Sequence, residues 1–455
     1  MEQLPWELID LIVASLSVSD RVALSGTCRE FRKRYWKPNL RLSLNVYCRS
    51  VQGIKWLKEH PEQWSRWKDN VCRWAECSLD LEVLKFARMQ GCPWEQYKNN
   101  EVDDEHVIVA GQLLANAGKL EILKWIREDG YQFSKHVCTA AARGGHLEVV
   151  KWLREQGCPW DEWACNGAAS EGNLEMLKWL HGQGCPCDMT TCRNAASSGH
   201  LDVLKWLRSW RCPWDASTCS CAAAGGHLEV LKWAWENGCS LDDETCCLAA
   251  NHGHLAVLQW AREQGCPWNE LVCQAAAMGG HLEVLIWARE HGCPWDEESC
   301  SEAAESGHLE LLKYLRSQGC PWSEWTSLAA AAMGHLDVLK WIHQQGGPWS
   351  DQIYARAAYE GHLEVLKWAW SQGLKFDISV TLEAVYEGHL DVLEWGLQHG
   401  CLWTYKASIG AARFEHTHIL KWIRDHGYCL GGDTSYDHLF KDGQYTRYIY
   451  DDDLI

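Results

Sequence analysis

Residues Gly145–Gly172 read Gly-His-Leu-Glu-Val-Val-Lys-Trp-Leu-Arg-Glu-Gln-Gly-Cys-Pro-Trp-Asp-Glu-Trp-Ala-Cys-Asn-Gly-Ala-Ala-Ser-Glu-Gly, and the same frame returns at a fixed interval. The histidine of Gly-His-Leu is His146, becomes Asn173 one copy later, and recurs at His200, His227, His254, His281, His308, His335, His362, His389 and His416, each 27 residues or a multiple of 27 from the last. A period of this size marks a solenoid, in which no unit buries its apolar face alone and the core forms by stacking neighbours. Chain length therefore counts repeats, not independent domains.

Each copy divides into two helices. The column Asp161, Asp188, Asp215, Asp242, Asn269, Asp296, Ser323, Ser350, Asp377, Thr404 holds residues whose side chains favour a helix N-cap, so a helix starts here in every unit. It ends at a glycine such as Gly172, where a left-handed backbone is easiest without a Cβ. A second helix runs from Leu147 to Gln156, stops at Gly157, and is barred from continuing by Pro159. In it Leu147, Val150 and Leu153 line one face, Val149 and Trp152 widen it, and Glu148, Lys151 and Glu155 hold the solvent stripe.

The chain has 24 cysteines, which in a small secreted protein would suggest a disulfide framework. The N-terminus, Met1-Glu2-Gln3-Leu4-Pro5-Trp6-Glu7, lacks the pattern of a signal peptide, and no apolar run reaches the length of a membrane span, so reduced thiols in an intracellular, cytoplasmic setting are expected, with the nucleus also open. The repeat explains the cysteines as small buried hydrophobes. Trp160 and Cys165 flank the Asp161 cap as a hydrophobic staple, and Cys158 sits where a Schellman motif turns an apolar residue back onto Leu153. Six residues between Cys158 and Cys165 do not suit zinc, and Gly347 replaces the first without disturbing the frame. The histidine column reads as structural too, since Asn173 substitutes once, and a turn or capping hydrogen bond common to both side chains is expected. No cofactor or metal is expected.

Hydrophobic residues at 47% suffice for a core, and a net charge of -18 makes nucleic acid a poor partner. Residues 1–42 fall outside the repeat, 43–118 hold worn copies with an insertion near 95–109, 119–428 are the regular array, and 429–455 form a cap or tail. In the first segment Leu4-Pro5-Trp6-Glu7-Leu8-Ile9, Ile12, Leu16, Asp20 and Cys28-Arg29-Glu30-Phe31 resemble the F-box, the short helical module that docks on a Skp-type adaptor of cullin–RING ubiquitin ligases. On that resemblance Leu4, Pro5, Leu8, Ile12 and Leu16 supply the docking face; the alternative is a plain helical cap on the array.

Gly-His-Leu-Glu-Val-Leu-Lys, preceded by Ala-Ala and followed by a helix-ending glycine, resembles ankyrin repeats across most of residues 119–427. The implied fold is all-α: an ankyrin-like helical-repeat solenoid with a small N-terminal F-box-like module. The units depart from the ankyrin length of about 33 residues; the shortfall lies after Gly-Cys-Pro-Trp, so the β-hairpin finger is expected to shrink to a tight turn. No nucleophile with a base and no phosphate loop stands out, and repetition argues against a single active site, so the chain is read as a non-enzymatic, monomeric binding protein.

Function is then sought where the frame varies. The column at the end of the first helix reads Arg143, Ser170, Ser197, Ala224, Asn251, Met278, Glu305, Ala332, Tyr359, Tyr386, Arg413. Of these, Arg143, Asn251, Met278, Glu305, Tyr359, Tyr386 and Arg413 are the candidates for contacting a target protein, and Tyr and Arg are types enriched at binding hot spots. An F-box joined to short ankyrin-like repeats resembles proteins of large DNA viruses of amoebae and implies a ligase adaptor that presents a target for ubiquitylation. A scaffold that sequesters its partner, or a protein exploiting its thiols for catalysis or metal storage, are the competing readings.

Overall fold

The computed structural model describes residues 51, 54–55, 79–91, 110–350, 352–373, 376, 378–414, 416–427, 440–441 and 444–445. The F-box-like residues Leu4, Pro5, Leu8, Ile12 and Leu16 and the insertion expected near 95–109 lie outside them. The chain divides into two compact units, Met1–Trp214 and Asp215–Ile455. In the first, the regular helix pairs are Lys135–Arg143 with Leu147–Glu155, Glu162–Ser170 with Leu174–Gly182, and Met189–Ser197 with Leu201–Ser209. In the second they run from Ala216–Ala224 with Leu228–Glu236 to Tyr405–Arg413 with Thr417–Asp425. Phe440 and Lys441 pair antiparallel with Tyr445 and Gln444.

Nearly all of these helices are nine residues long, too short to be stable alone in water. Stacking supplies the stability. First helices pack on first helices of the neighbouring repeats, and each second helix packs on the first helix of its own pair. Between them Val149, Val150, Leu153, Ala168 and Ala169 are fully or almost fully buried. Leu147 and Trp152 are only half-buried, so the buried stripe is Val149-Val150-Leu153; Leu147 stands at its edge rather than on its axis. Glu148–Lys151 at 2.7 Å, repeated as Glu310–Lys313 and Glu364–Lys367, holds the outer face, each exposed pair contributing about 0.2–0.5 kcal/mol.

The caps fall where the column places them. Asp161 accepts from the Trp163 N–H, and Asp188 with Thr191 and Asp242 with Thr245 form reciprocal capping boxes. In the repeat of Ser379–Tyr386 the residue before the helix is Ile378, with no side-chain cap, and Asp377 lies outside the described residues. Both helix ends close as Schellman motifs: Cys158 N–H donates to Leu153 O at 3.0 Å and Gly157 N–H to Arg154 O at 2.9 Å, while Asn173 and Gly172 bond Ala168 and Ala169 in the same way. Between Glu155 and Glu162 there is no strand, only the turn through Cys158-Pro159-Trp160, so the finger is absent from this connection.

Candidate functional site

The turn between the two helices carries the contact that joins one repeat to the next. His146 Nε2 lies 3.1 Å from Asn116 O, His200 Nε2 3.1 Å from Ser170 O, His308 Nε2 3.2 Å from Met278 O, and His335 Nε2 2.9 Å from Glu305 O. His254, His362 and His416 reach Ala224 O, Ala332 O and Tyr386 O. Each acceptor is the last residue of the preceding repeat's first helix, whose carbonyl has no partner within its own helix. The imidazole therefore caps its neighbour. Asn173 does something else: its side chain accepts from Met176 N–H at 3.0 Å and caps its own helix. The expectation of one hydrogen bond shared by His and Asn is thus corrected, because the amide is too short to span to the neighbouring turn. Each histidine ring also lies over the preceding turn's glycine, so that a Cβ on Gly280 would stand 2.6 Å from the His308 ring.

The acceptor residues are those of the variable column. Their backbone carbonyls are held while their side chains are free to differ. Arg143, Glu305 and Arg413 are exposed, as is Met278; Asn251, Tyr359 and Tyr386 are half-buried. Asn251 Nδ2 and Met278 Sδ meet at 3.3 Å along one edge. Tyr359, Tyr386 and Arg413 converge further on, with Glu387, Lys406 and Phe414, around a groove of about 360 Å3. Hydrogen bonding to the Glu387 carboxylate raises the Tyr359 phenol above its ordinary pKa. Arg356 lies 5.7 Å from the centre of the Tyr359 ring.

The cysteines are structural in a more specific way than small hydrophobes. Cys158 Sγ donates to Ser134 O at 3.4 Å, Cys185 Sγ to Asp161 O at 3.3 Å, and Cys293 Sγ to Asn269 O at 3.3 Å, so the end of each pair is tied to the N-cap residue that begins it. The two columns also meet, since Cys138 interacts with Cys158, Cys165 with Cys185, and Cys273 with Cys293, and this thiol–thiol bonding together with burial pushes Cys138, Cys165 and Cys273 up. All described cysteines are free thiols, and among the described residues no group of three or more His, Cys, Asp or Glu is placed to hold a metal.

Among the described cysteines only Cys187, Cys221 and Cys247 are not fully buried. Iodoacetamide on the native chain, read by peptide mass spectrometry, should label Cys187 first among the described cysteines, because a hydrogen bond from Cys165 lowers its pKa. Cys247, pushed up to about 12 by burial and then by Asp243, should lag, and Cys165 and Cys273 should react only on denaturation. Equal labelling of buried and partly buried thiols would contradict the packing.

A second pairing recurs along the array. Arg154 lies 3.9 Å from the centre of the Trp160 ring and donates to Cys158 O at 2.5 Å. Arg208 on Trp214, Arg262 on Trp268, Arg289 on Trp295 and Arg316 on Trp322 repeat the stack at 3.9 to 4.2 Å. The signal was present, since Arg and Trp occur together six positions apart in these repeats.

Residues 137–181 and 167–208 match the family model described as ankyrin repeats in many copies. This segment carries ankyrin repeats. Among solved structures the human ASB11 ankyrin repeat domain is similar, with 18% identity, 34% of this chain and 84% of that chain covered, and a TM-score of 0.30. A search of curated proteins finds no match. The ankyrin repeats of this segment imply a protein–protein interaction scaffold. No helix among the described residues is long and apolar enough to cross a membrane.

Proposed function

We propose that the chain is the substrate-recognition subunit of a cullin–RING ubiquitin ligase, with residues 1–42 docking a Skp-type adaptor and the ankyrin repeats capturing a target protein through the variable edge. The observation that carries the target-binding half is the convergence of Tyr359, Tyr386 and Arg413 on one groove. The ligase half rests on the N-terminal motif alone, in which Leu4, Pro5, Leu8, Ile12 and Leu16 supply the apolar docking face. Catalysis is by proximity: the array holds the target near the ligase and needs no reactive group of its own. The resemblance to proteins of amoebal DNA viruses makes the target a host protein met in the cytoplasm or nucleus.

Co-purification with a Skp-type adaptor tests the ligase half. Leu4→Ala with Pro5→Ala is expected to abolish the adaptor complex while leaving the unfolding transition of the array in place. A wild-type chain that binds no Skp-type adaptor beside a working control removes the ligase and leaves a scaffold that sequesters its partner. In that case deleting residues 1–40 changes nothing in target binding.

A further inference from the structure

The groove at Tyr359, Tyr386 and Arg413 differs in charge from the chain around it. The protein as a whole carries -18, yet this wall presents Lys406 and Arg413, both exposed and neither with an ion-pair partner among the described residues. Lys406 is the one lysine or arginine at its repeat position: the equivalents are His136, Trp163, Thr190, Ser217, Glu244, Leu271, Glu298, Trp325, Gln352 and Ser379. The acid in the groove, Glu387, is turned toward Tyr359 by the hydrogen bond between them.

The floor is apolar and held by close contacts. Tyr386 and Phe414 meet edge to face with ring centres 5.7 Å apart, and Phe414 and Ile409 remain 51% and 37% exposed. Tyr386 lies so close over Gly410 that a Cβ there would be 2.5 Å from the ring, and its carbonyl is held by His416 Nε2 at 2.7 Å. Contacts that already hold Tyr386 in place lower the conformational entropy it loses when a ligand is seated on it.

We propose that this groove binds a short acidic segment of a partner protein, seating one aromatic or aliphatic side chain on Tyr386, Ile409 and Phe414 while its carboxylates pair with Lys406 and Arg413. The proposal rests on the protein-binding half of the reading above and is independent of the ligase half. A basic segment would meet two unpaired cations, and a purely apolar one would bury them without compensation.

The experiment is a selection of random 12-residue peptides displayed on phage against the full-length chain, followed by fluorescence anisotropy with the best synthetic peptide. Enrichment of Asp or Glu beside Phe, Tyr, Trp, Leu or Ile is expected. Lys406→Glu with Arg413→Glu should weaken the selected peptide about tenfold or more, and Lys406→Arg with Arg413→Lys should restore it. Raising the salt should weaken binding to the wild type and leave the residual binding of the reversed variant little changed. Both substituted positions are exposed, so an unchanged thermal transition confirms that the variants fold. The proposal falls if no peptide enriches, if the enriched peptides are basic or uncharged, or if charge reversal leaves binding intact. It also falls if peptide binds only after removal of residues 428–455, which would assign the groove to the chain's own Asp451-Asp452-Asp453 stretch. Adaptor co-purification on the same variants keeps the two readings apart: a chain that binds acidic peptide but no adaptor loses the ligase role and keeps the groove.

Discussion

Gly280→Ala is expected to destabilise its unit by about 3 kcal/mol, whereas Gly292→Ala, twelve positions on in the same repeat frame, should cost only about 1–2 kcal/mol. Both glycines have positive φ, +74° and +83°. For both, a side chain brings the left-handed backbone penalty, softened by the lower entropy of the unfolded alanine chain. What separates them is their surroundings. A Cβ on Gly292 meets nothing within 4 Å, while one on Gly280 would stand 2.6 Å from the His308 ring. Displacing that ring also stretches its bond to Met278 O. Urea unfolding followed by circular dichroism checks the difference, and the cycle with His308→Ala shows its source. If the ring is the obstacle, Gly280→Ala costs less in the His308→Ala background than in the wild type. Equal costs for the two glycines would mean that the histidine contact contributes nothing.

Leu285→Ala should remove about 2–5 kcal/mol, the range for emptying a leucine from a closed core, because its side chain is fully buried in the second helix Leu282–Glu290. Leu282→Ala, at the half-buried edge of the same helix, should cost less than half as much. In a stack held by nearest-neighbour interfaces the loss is local, so the unfolding curve of Leu285→Ala should broaden or split as the repeats on one side separate from those on the other. The comparison is read from the midpoints and slopes of urea curves for the two variants. A wild-type slope with both midpoints displaced equally would show that burial does not distinguish the positions.

The features legible from the residues were those whose partners lie within one helix or turn. The Asp161, Asp188 and Asp242 caps and the Schellman closure at Gly157-Cys158 depend on spacings of two to five residues, which recurring columns expose directly. The histidine contact did not reveal itself because its acceptor is a backbone carbonyl 30 residues away, and a carbonyl leaves no mark on residue identity. A period of 3.6 leaves the axis of the helix face uncertain within nine residues, so the pattern admits Leu147 while the packing places Val149 there. In the groove, Tyr359, Tyr386 and Arg413 were visible as variable residues. Lys406, Ile409 and Phe414 were not, since they join it only when neighbouring first helices lie side by side.

A histidine that grips a peptide oxygen recognises a group every residue owns. Ser170, Ala224, Met278, Glu305 and Tyr386 all serve it equally, whatever their side chains. This part of the joint between repeats is therefore generic and tolerates any residue at the gripped position, in contrast to the side-chain pairs Thr191–Asn166 and Gln274–Asp296, which join neighbouring repeats only where both partners are present. The side chains of the variable edge can therefore change without disturbing the histidine contact beneath them, because that contact takes only their backbone oxygen.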